Sequence, residues 1–117
     1  MAAVLIVDDS LAIRELVTKV LSEQGHQVFT AATLPQARDW LWAIRFDCVI
    51  LDILLDGDSG LDLLPDLIDM DYKGKVVIVS GYAKNEVARD ILYKVANCGL
   101  SVHFLEKTGN WVEEVFA

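Results

Sequence analysis

The sequence predicts an α/β protein, a doubly wound five-stranded parallel sheet with helices on both faces. Short apolar runs alternate along the chain with amphipathic segments of helical periodicity. Two of the runs, at residues 3–7 and 48–51, are apolar at every position, which indicates strands that are buried on both faces. Parallel strands need crossover connections, and these are right-handed, so such a chain winds into a sheet covered on both sides.

The first half of the chain has three strands and two helices. After the strand at 3–7, Ser10 is a suitable N-cap for a helix that runs to about Gln24, and Gly25 fits its C-terminal end. Apolar residues at helical spacing form the stripe of this helix: Ile13, Leu16, Val17, Val20 and Leu21. A second strand follows at 27–31. Thr33 then caps a helix to about Arg45, with Pro35 in its first turn, and the third strand ends at Asp52.

The second half repeats the alternation after a loop rich in Asp and Gly. A third helix covers about 60–70, and Pro65 should kink or delay it, because a helix interior does not accommodate proline. Residues 75–80 contain the fourth strand and 84–97 form the fourth helix. The fifth strand lies at 101–105 and a short last helix at 110–116.

Composition limits the classes of function. The 117 residues are enough for one domain, 1–117, and an apolar content of 54% argues against disorder. The net charge of −8 argues against binding to a phosphate backbone. No apolar run approaches the roughly 20 residues of a membrane span, and no signal segment is apparent, so a cytoplasmic protein is expected. Cys48 and Cys98 lack the spacing of a metal site.

Ionisable side chains stand where the predicted strands end. The first strand ends in Asp8 and Asp9, the third in Asp52 and the fourth in Ser80, and Lys107 follows the fifth. The carboxyl ends of parallel strands share one edge of the sheet, which is where ligands of such sheets bind. Each residue alone could be a turn residue or a helix cap, but the convergence of all five favours a functional site.

The chemistry of this set favours phosphoryl transfer. Three neighbouring carboxylates repel one another, and Mg²⁺, which prefers oxygen ligands, would remove that repulsion. An aspartate nucleophile can accept a phosphoryl group as an acyl phosphate. Negative charge on the transferred group is stabilised by cations, here Mg²⁺ on one side and Lys107 on the other. The Ser80 hydroxyl can donate a hydrogen bond to a phosphoryl oxygen.

The ordered set resembles the receiver domains of bacterial response regulators, over nearly the whole chain. The stretch 4–10 is similar to the first strand and acidic pair of that family, and 51–60 to its phosphorylation segment, with Gly60 correctly spaced after Asp52. The stretch 76–81 is similar to its fourth strand with the switch hydroxyl. Residues 104–107 are similar to its fifth strand with the switch aromatic and the lysine.

The resemblance implies roles and partners. Asp52 would be the phosphoacceptor, Asp8, Asp9, Asp52 and the Leu54 backbone carbonyl would hold Mg²⁺, and Lys107 and Ser80 would assist the transfer. Ser80 and Phe104 would form the coupled switch pair. The phosphoryl donor would be a sensor histidine kinase or a histidine phosphotransfer protein. A downstream protein, or a second copy, would bind the face of the fourth helix, fifth strand and last helix. The chain would catalyse only its own phosphorylation and dephosphorylation, without other enzymatic activity.

Four features depart from the family pattern. Thr108 follows the lysine where proline with a cis bond is usual, so the Lys107–Thr108 bond is expected to be trans, because a cis bond before a non-proline residue costs several kcal/mol. The loop over 99–107 is one residue longer than usual, Asp56 replaces a common proline, and the last helix is short.

Three other classes of protein are alternatives to a phosphorylated receiver. A degenerate receiver that signals by binding alone is favoured mildly by Thr108 but opposed by the intact set of site residues. An aspartyl-phosphate hydrolase would need a DxD motif after the first strand, which the sequence lacks. A flavin or dinucleotide binder would need a GxGxxG motif there, and carboxylates would repel its phosphates.

Overall fold

The strands of a computed structural model, which describes residues 1–81 and 98–117, form the predicted parallel sheet. It contains β1 (Ala3–Val7), β2 (Gln27–Ala31), β3 (Cys48–Asp52), β6 (Lys75–Ser80) and β7 (Ser101–Glu106), in the order β2-β1-β3-β6-β7. All neighbouring pairs are parallel. The fold class is therefore confirmed. The fourth predicted helix, 84–97, lies outside the described residues.

Helices cover both faces of this sheet. The described helices are α1 (Leu11–Glu23), α2 (Leu34–Ala43), α3 (Leu64–Asp69) and α4 (Trp111–Glu114). Buried residues of α1 and α4 pack with Val4, Ile6 and Ile50 on one face, and those of α2 and α3 pack with Leu5, Val49 and Leu51 on the other. Side chains alternate between faces along each strand, so a strand that is apolar throughout serves two cores.

Local capping agrees with the prediction. The Ser10 hydroxyl accepts a hydrogen bond from the Ile13 amide at the start of α1, and the Thr33 hydroxyl accepts one from the Gln36 amide at the start of α2, both at 3.3 Å. These bonds satisfy amides that the helix leaves without a partner. Gly25 follows the C-cap of α1 with φ +91°, a conformation that glycine adopts at little cost.

Two details of the prediction were wrong. Leu16 is 43% exposed and does not belong to the buried stripe of α1, where Val17 and Leu21 are buried. Leu16 is rotated by about 100° from Val17 around the helix, which takes it off the face toward the sheet. The loop after β3 contains a short antiparallel hairpin, β4 (Leu54–Leu55) and β5 (Asp58–Ser59).

Pro65 has the predicted delaying effect. Residues Gly60–Leu63 form a 3₁₀ turn, and α3 begins only at Leu64, with the proline in its first turn, where its missing amide costs nothing. No helix in the described part of the chain is both long enough and apolar enough to cross a membrane.

Candidate functional site

The predicted site residues meet at the carboxyl edge of the sheet. Asp8 follows β1 directly, Asp52 and Ser80 are the last residues of β3 and β6, and Lys107 follows β7. The Lys107 amide donates to the Ser80 carbonyl at 3.0 Å, so the lysine continues the pairing of β6 with β7. The sheet therefore carries these four side chains to one edge on four different strands.

Lys107 bridges two buried aspartates. Its Nζ lies 2.8 Å from Oδ2 of Asp8 and 3.2 Å from Oδ2 of Asp52. The Asp8 side chain is fully buried, and Asp52 as a residue is 7% exposed. A charge in such a place needs a partner, because burial removes the water that would stabilise it. One ammonium group therefore serves two carboxylates that have little contact with solvent.

The two carboxylates outnumber the ammonium group, and the pKa values reflect this. Burial, followed by the charge of Asp8, raises the pKa of Asp52 above its usual 3.8, although the charge and hydrogen bond of Lys107 act in the opposite direction. For Lys107, burial alone would lower the pKa, but hydrogen bonding to Asp8 and the charges of both carboxylates raise it overall above 10.5. The site thus has excess negative charge that a second cation would neutralise.

Asp9 completes a group of oxygen ligands. One carboxylate oxygen from each of Asp8, Asp9 and Asp52 lies within 4.8 Å of the others, and Asp9 is exposed to solvent. Three carboxylates at this spacing, one of them accessible, suit a hard divalent cation that keeps part of its water shell. The excess negative charge at Asp52 gives an independent reason why a cation would bind there.

Backbone contacts fix the position of Asp52. Its Oδ1 accepts a hydrogen bond from the Leu54 amide at 3.4 Å, and the Gly60 amide donates to the Ile53 carbonyl at 2.8 Å. A Cβ atom on Gly60 would lie only 1.7 Å from the Asp52 carbonyl oxygen. Glycine is therefore required at this position, because the chain passes against the backbone of Asp52 with no room for a side chain.

Arg14 is a contact that the sequence reasoning missed. Its Nη1 donates to the backbone carbonyl of Asp8 at 2.8 Å, while the Ser10 amide donates to Oδ1 of Asp8 at 2.9 Å. The two bonds hold the turn between β1 and α1. An arginine on an amphipathic helix has no sequence signal that separates this role from simple exposure to solvent.

Comparison with known proteins agrees with this arrangement. The family model described as the response regulator receiver domain matches residues 4–108. The chain belongs to the response regulator receiver domain family. It is 33% identical over 101 residues to sporulation initiation phosphotransferase F of Bacillus subtilis, covering 86% of this chain and 78% of that protein. It is also 35% identical over 89 residues to the alginate biosynthesis transcriptional regulatory protein AlgB of Pseudomonas aeruginosa, covering 76% of this chain and 20% of that longer protein.

Solved structures of receivers superpose on most of the chain. The response regulator TrrA of Thermotoga maritima, solved in complex with Mg(2+)-BeF, has a TM-score of 0.79 and 28% identity, covering 97% of this chain and 93% of its own. A response regulator of Burkholderia pseudomallei, solved with a phosphorylated aspartic acid and a calcium ion, has a TM-score of 0.84 and 25% identity. The match covers 100% of this chain and 65% of that chain. The protein is thus a receiver domain of two-component signal transduction.

The predicted switch residues of this receiver domain lie on one face of the sheet. Ser80 is 5% exposed at the end of β6, and Phe104 is half-buried on β7, where it packs against the core shared with α2 and α3. Ile78 pairs with Phe104 in register, and Ser80 pairs with Glu106. Side chains two residues apart on a strand share a face, so Ser80 and Phe104 are diagonal neighbours there.

The structure also defines the backbone after Lys107 and the surroundings of the two histidines. No peptide bond among residues 1–81 and 98–117 is cis, so the Lys107–Thr108 bond is trans as predicted. His26 accepts a hydrogen bond from the Ala2 amide and stacks on Phe116. His103 is exposed on β7, with its Nε2 at 3.3 Å from the Ser101 hydroxyl.

Proposed function

We propose that Asp52 is the phosphoacceptor of this receiver domain, with a sensor histidine kinase or a histidine phosphotransfer protein as donor. A carboxylate oxygen of Asp52 attacks the phosphorus of a phosphohistidine, and an acyl phosphate bond forms. The phosphorus–nitrogen bond of the donor breaks, and the imidazole leaves with the electron pair and takes up a proton. The observation that carries this proposal is the buried Asp52 carboxylate beside the Lys107 ammonium group.

Lys107 and a divalent cation share the charge of the reaction in this proposal. The Lys107 ammonium group, already 3.2 Å from Asp52, stays beside the acceptor and stabilises the negative oxygens that arrive with the phosphoryl group. Asp8, Asp9 and Asp52, with the Leu54 carbonyl as a further ligand, would hold Mg²⁺, which supplies charge neutralisation at the transferred group. The Mg(2+)-BeF complex of TrrA supports this assignment.

We propose that Ser80 and Phe104 transmit the phosphorylated state. The Ser80 hydroxyl moves toward the new phosphoryl oxygens, and the Phe104 ring turns inward into the space released on the same face of the sheet. Burying more of that ring is worth on the order of 1–3 kcal/mol, enough to shift a two-state equilibrium. The affected surface would be the face expected from the sequence, which combines β7, α4 and the fourth predicted helix at 84–97, outside the described residues. It would bind a downstream protein or a second copy.

The proposed unit spans residues 1–117, of which the family model matches 4–108. In this proposal the chain catalyses its own phosphorylation and dephosphorylation and has no other substrate. The cytoplasm is its proposed location, because its proposed phosphoryl donors act there.

Phosphorylation by a small phosphodonor tests the proposal. Purified protein is incubated with acetyl phosphate and Mg²⁺, and its intact mass is measured with and without a chelator. We expect a gain of one phosphoryl group that needs the metal, is lost in alkali, and is absent in Asp52→Asn. Asp56→Asn is the matched control, since it removes an exposed carboxylate from the turn of the hairpin that follows Asp52 and should leave the gain in mass unchanged.

The opposite pattern rejects the assignment. Equal mass gain in Asp52→Asn and the wild type would show that another residue accepts the phosphoryl group. A folded wild-type protein that gains no mass with metal and phosphodonor would point to the degenerate receiver that signals by binding alone.

A further inference from the structure

The amino edge of the sheet, opposite the acidic site, carries an exposed tryptophan beside an open cavity. Trp42, near the end of α2, is 81% exposed, the highest value among the large hydrophobic side chains of the described residues except Met1 at the chain terminus. Exposed tryptophan is costly in water, and where it occurs beside a groove it commonly marks an interface. The tryptophan therefore needs an explanation that the phosphoacceptor site does not supply.

The cavity beside Trp42 has a volume of about 750 Å³. It lies between the loop from α2 to β3 and the loop from α3 to β6, and its apolar lining includes Ile44, Phe46, Met70 and Tyr72. A second, smaller cavity of about 120 Å³ lies between α2 and α3, and Trp42 lines both. Volumes of about 300–1,000 Å³ hold drug-sized molecules, so the larger cavity has room for an indole side chain.

A projecting side chain next to a cavity that can receive it is the arrangement a two-fold interface requires. In such an interface the same patch on both copies must be complementary to itself, so one patch must present both the protrusion and the hollow. Trp42 supplies the protrusion and the cavity supplies the hollow. We call the lining of both cavities the Trp42 surface.

The charges of the Trp42 surface also suit a second copy. Its basic residues are Arg38, Arg45, Lys73 and Lys75. Its acidic residues are Asp47, Asp66, Asp69 and Asp71. Four positive and four negative groups cancel, so the net charge of −8 belongs to the rest of the chain. Arg38–Asp66 and Lys73–Asp71 already pair within one copy, so a second copy meets a surface without net charge and with little repulsion.

We propose that two copies of this chain associate through the Trp42 surface, with the indole of each copy entering the cavity of the other. The contact lies at the amino edge of the sheet and leaves the carboxyl edge, with Asp8, Asp52 and Lys107, open to a phosphoryl donor. This association does not use β7 or α4, which belong to the proposed phosphorylation-dependent face, and it does not require an added phosphoryl group.

Sedimentation velocity of the unphosphorylated protein, from micromolar to low millimolar concentration and without phosphodonor, tests this proposal. The wild type should shift from monomer to dimer as the concentration rises. Trp42→Ala should weaken the association at least about tenfold, as expected for a central aromatic anchor. Ala43→Glu, which places a charge at the cavity, should be monomeric throughout. Leu16→Ala is the control, since Leu16 is an exposed leucine of α1 outside this surface.

Amide shifts of the wild-type protein over the same concentration range give a measurement that needs no variant. We expect the concentration-dependent shifts to fall in residues 38–47 and 66–75. A wild type that stays monomeric at every concentration overturns the proposal, and so does a dimer that Trp42→Ala and Ala43→Glu leave unchanged. Shifts confined to other residues would overturn it as well.

Discussion

Two lysine–aspartate ion pairs of nearly equal length lie at opposite edges of the sheet. At the carboxyl edge Lys107 is 2.8 Å from Asp8, and at the amino edge Lys73 is 2.9 Å from Asp71. The side chains of the first pair are 18% and 0% exposed, whereas those of the second are 78% and 79% exposed. The length of an ion pair alone therefore does not show how strongly its charges interact.

The difference in burial decides what each edge can do. Water screens the exposed pair, which contributes at most about 1 kcal/mol to stability. The amino edge instead has a cavity and an exposed tryptophan that a partner can bind. The buried pair lies in a medium of lower dielectric constant, together with Asp52, so each charge strongly affects the others. The carboxyl edge is therefore suited to phosphoryl chemistry and the amino edge to association.

Removing each lysine in turn tests this comparison with the largest expected effect. Lys107→Met leaves two buried carboxylates without a cation and should lower the free energy of unfolding by about 3 kcal/mol at neutral pH without metal. Lys73→Met should change it by less than about 1 kcal/mol. Denaturant unfolding in the presence of a chelator measures both values.

The sign of the pH dependence gives a second check on Lys107. Its pKa is raised in the folded state, mainly by Asp8 against the opposing effect of burial, so its contribution to stability is complete below 10.5 and is lost as the pH rises above that value. From neutral pH upward, the difference between wild type and Lys107→Met should therefore persist until strong alkali, where Lys107 loses its proton. Equal losses for the two lysine variants would contradict the comparison.

Gly60 and Gly81 form a matched pair at the carboxyl edge. A Cβ on Gly60 would overlap the Asp52 carbonyl, whereas one on Gly81 would meet nothing within 4 Å among residues 1–81 and 98–117. Gly60→Ala should thus cost about 2–3 kcal/mol of stability, because the backbone beside Asp52 has to move. Gly81→Ala should cost less than about 1 kcal/mol. Thermal unfolding of both variants measures the difference, and similar melting temperatures would show that Gly60 does not constrain Asp52.

Magnesium affinity tests the acidic group directly. Titration of the wild type with Mg²⁺, followed by amide shifts, should saturate in the millimolar range. Asp9→Ala should weaken binding by about 10-fold or more, because it removes one of three carboxylate ligands. Asp58→Ala, which removes an exposed carboxylate of β5, is the control and should bind as the wild type does. Unchanged affinity in Asp9→Ala would remove Asp9 from the ligand set.

Replacement of Asp52 should change the free energy of unfolding by less than replacement of Lys107 does, and in the opposite direction. Burial and the charge of Asp8 raise the pKa of Asp52, so its ionised form opposes folding, and stability falls as the pH rises above 3.8. Asp52→Asn cannot ionise and should be about 1 kcal/mol more stable than wild type at neutral pH in a chelator. The gain should vanish below pH 3.8. If Asp52→Asn is less stable than wild type at neutral pH, the attraction between Asp52 and Lys107 outweighs the cost of burying the Asp52 charge beside Asp8.

The sequence was sufficient to predict the features that depend on local pattern and strand order. Ser10 and Thr33 each precede an amphipathic segment, which predicts that their hydroxyl groups cap the two helices, and both do so in the structure. Asp8, Asp52 and Lys107 were expected at one edge because parallel strands end together, and Lys107 does contact both aspartates.

The sequence did not predict features that depend on which parts of the fold pack against a given helix or loop. The hairpin of β4 and β5 has only two residues in each strand, and the Asp56-Gly57 turn was its one available signal. Leu16 fits an apolar stripe by spacing, but its exposure depends on which arc of α1 meets the sheet. The cavity beside Trp42 joins two segments whose nearest residues, Asp47 and Met70, are 23 apart in sequence, so no local pattern reveals it.

Chemical trapping of the phosphorylated residue tests the central claim most directly. The wild type is phosphorylated with acetyl phosphate and Mg²⁺, the acyl phosphate is reduced with borohydride to the corresponding alcohol, and the modified residue is located by peptide mass spectrometry. The account predicts that the modification falls on Asp52 alone and is lost when the metal is chelated. A modified residue other than Asp52, including Asp8 or Asp9 at the same edge, would contradict it.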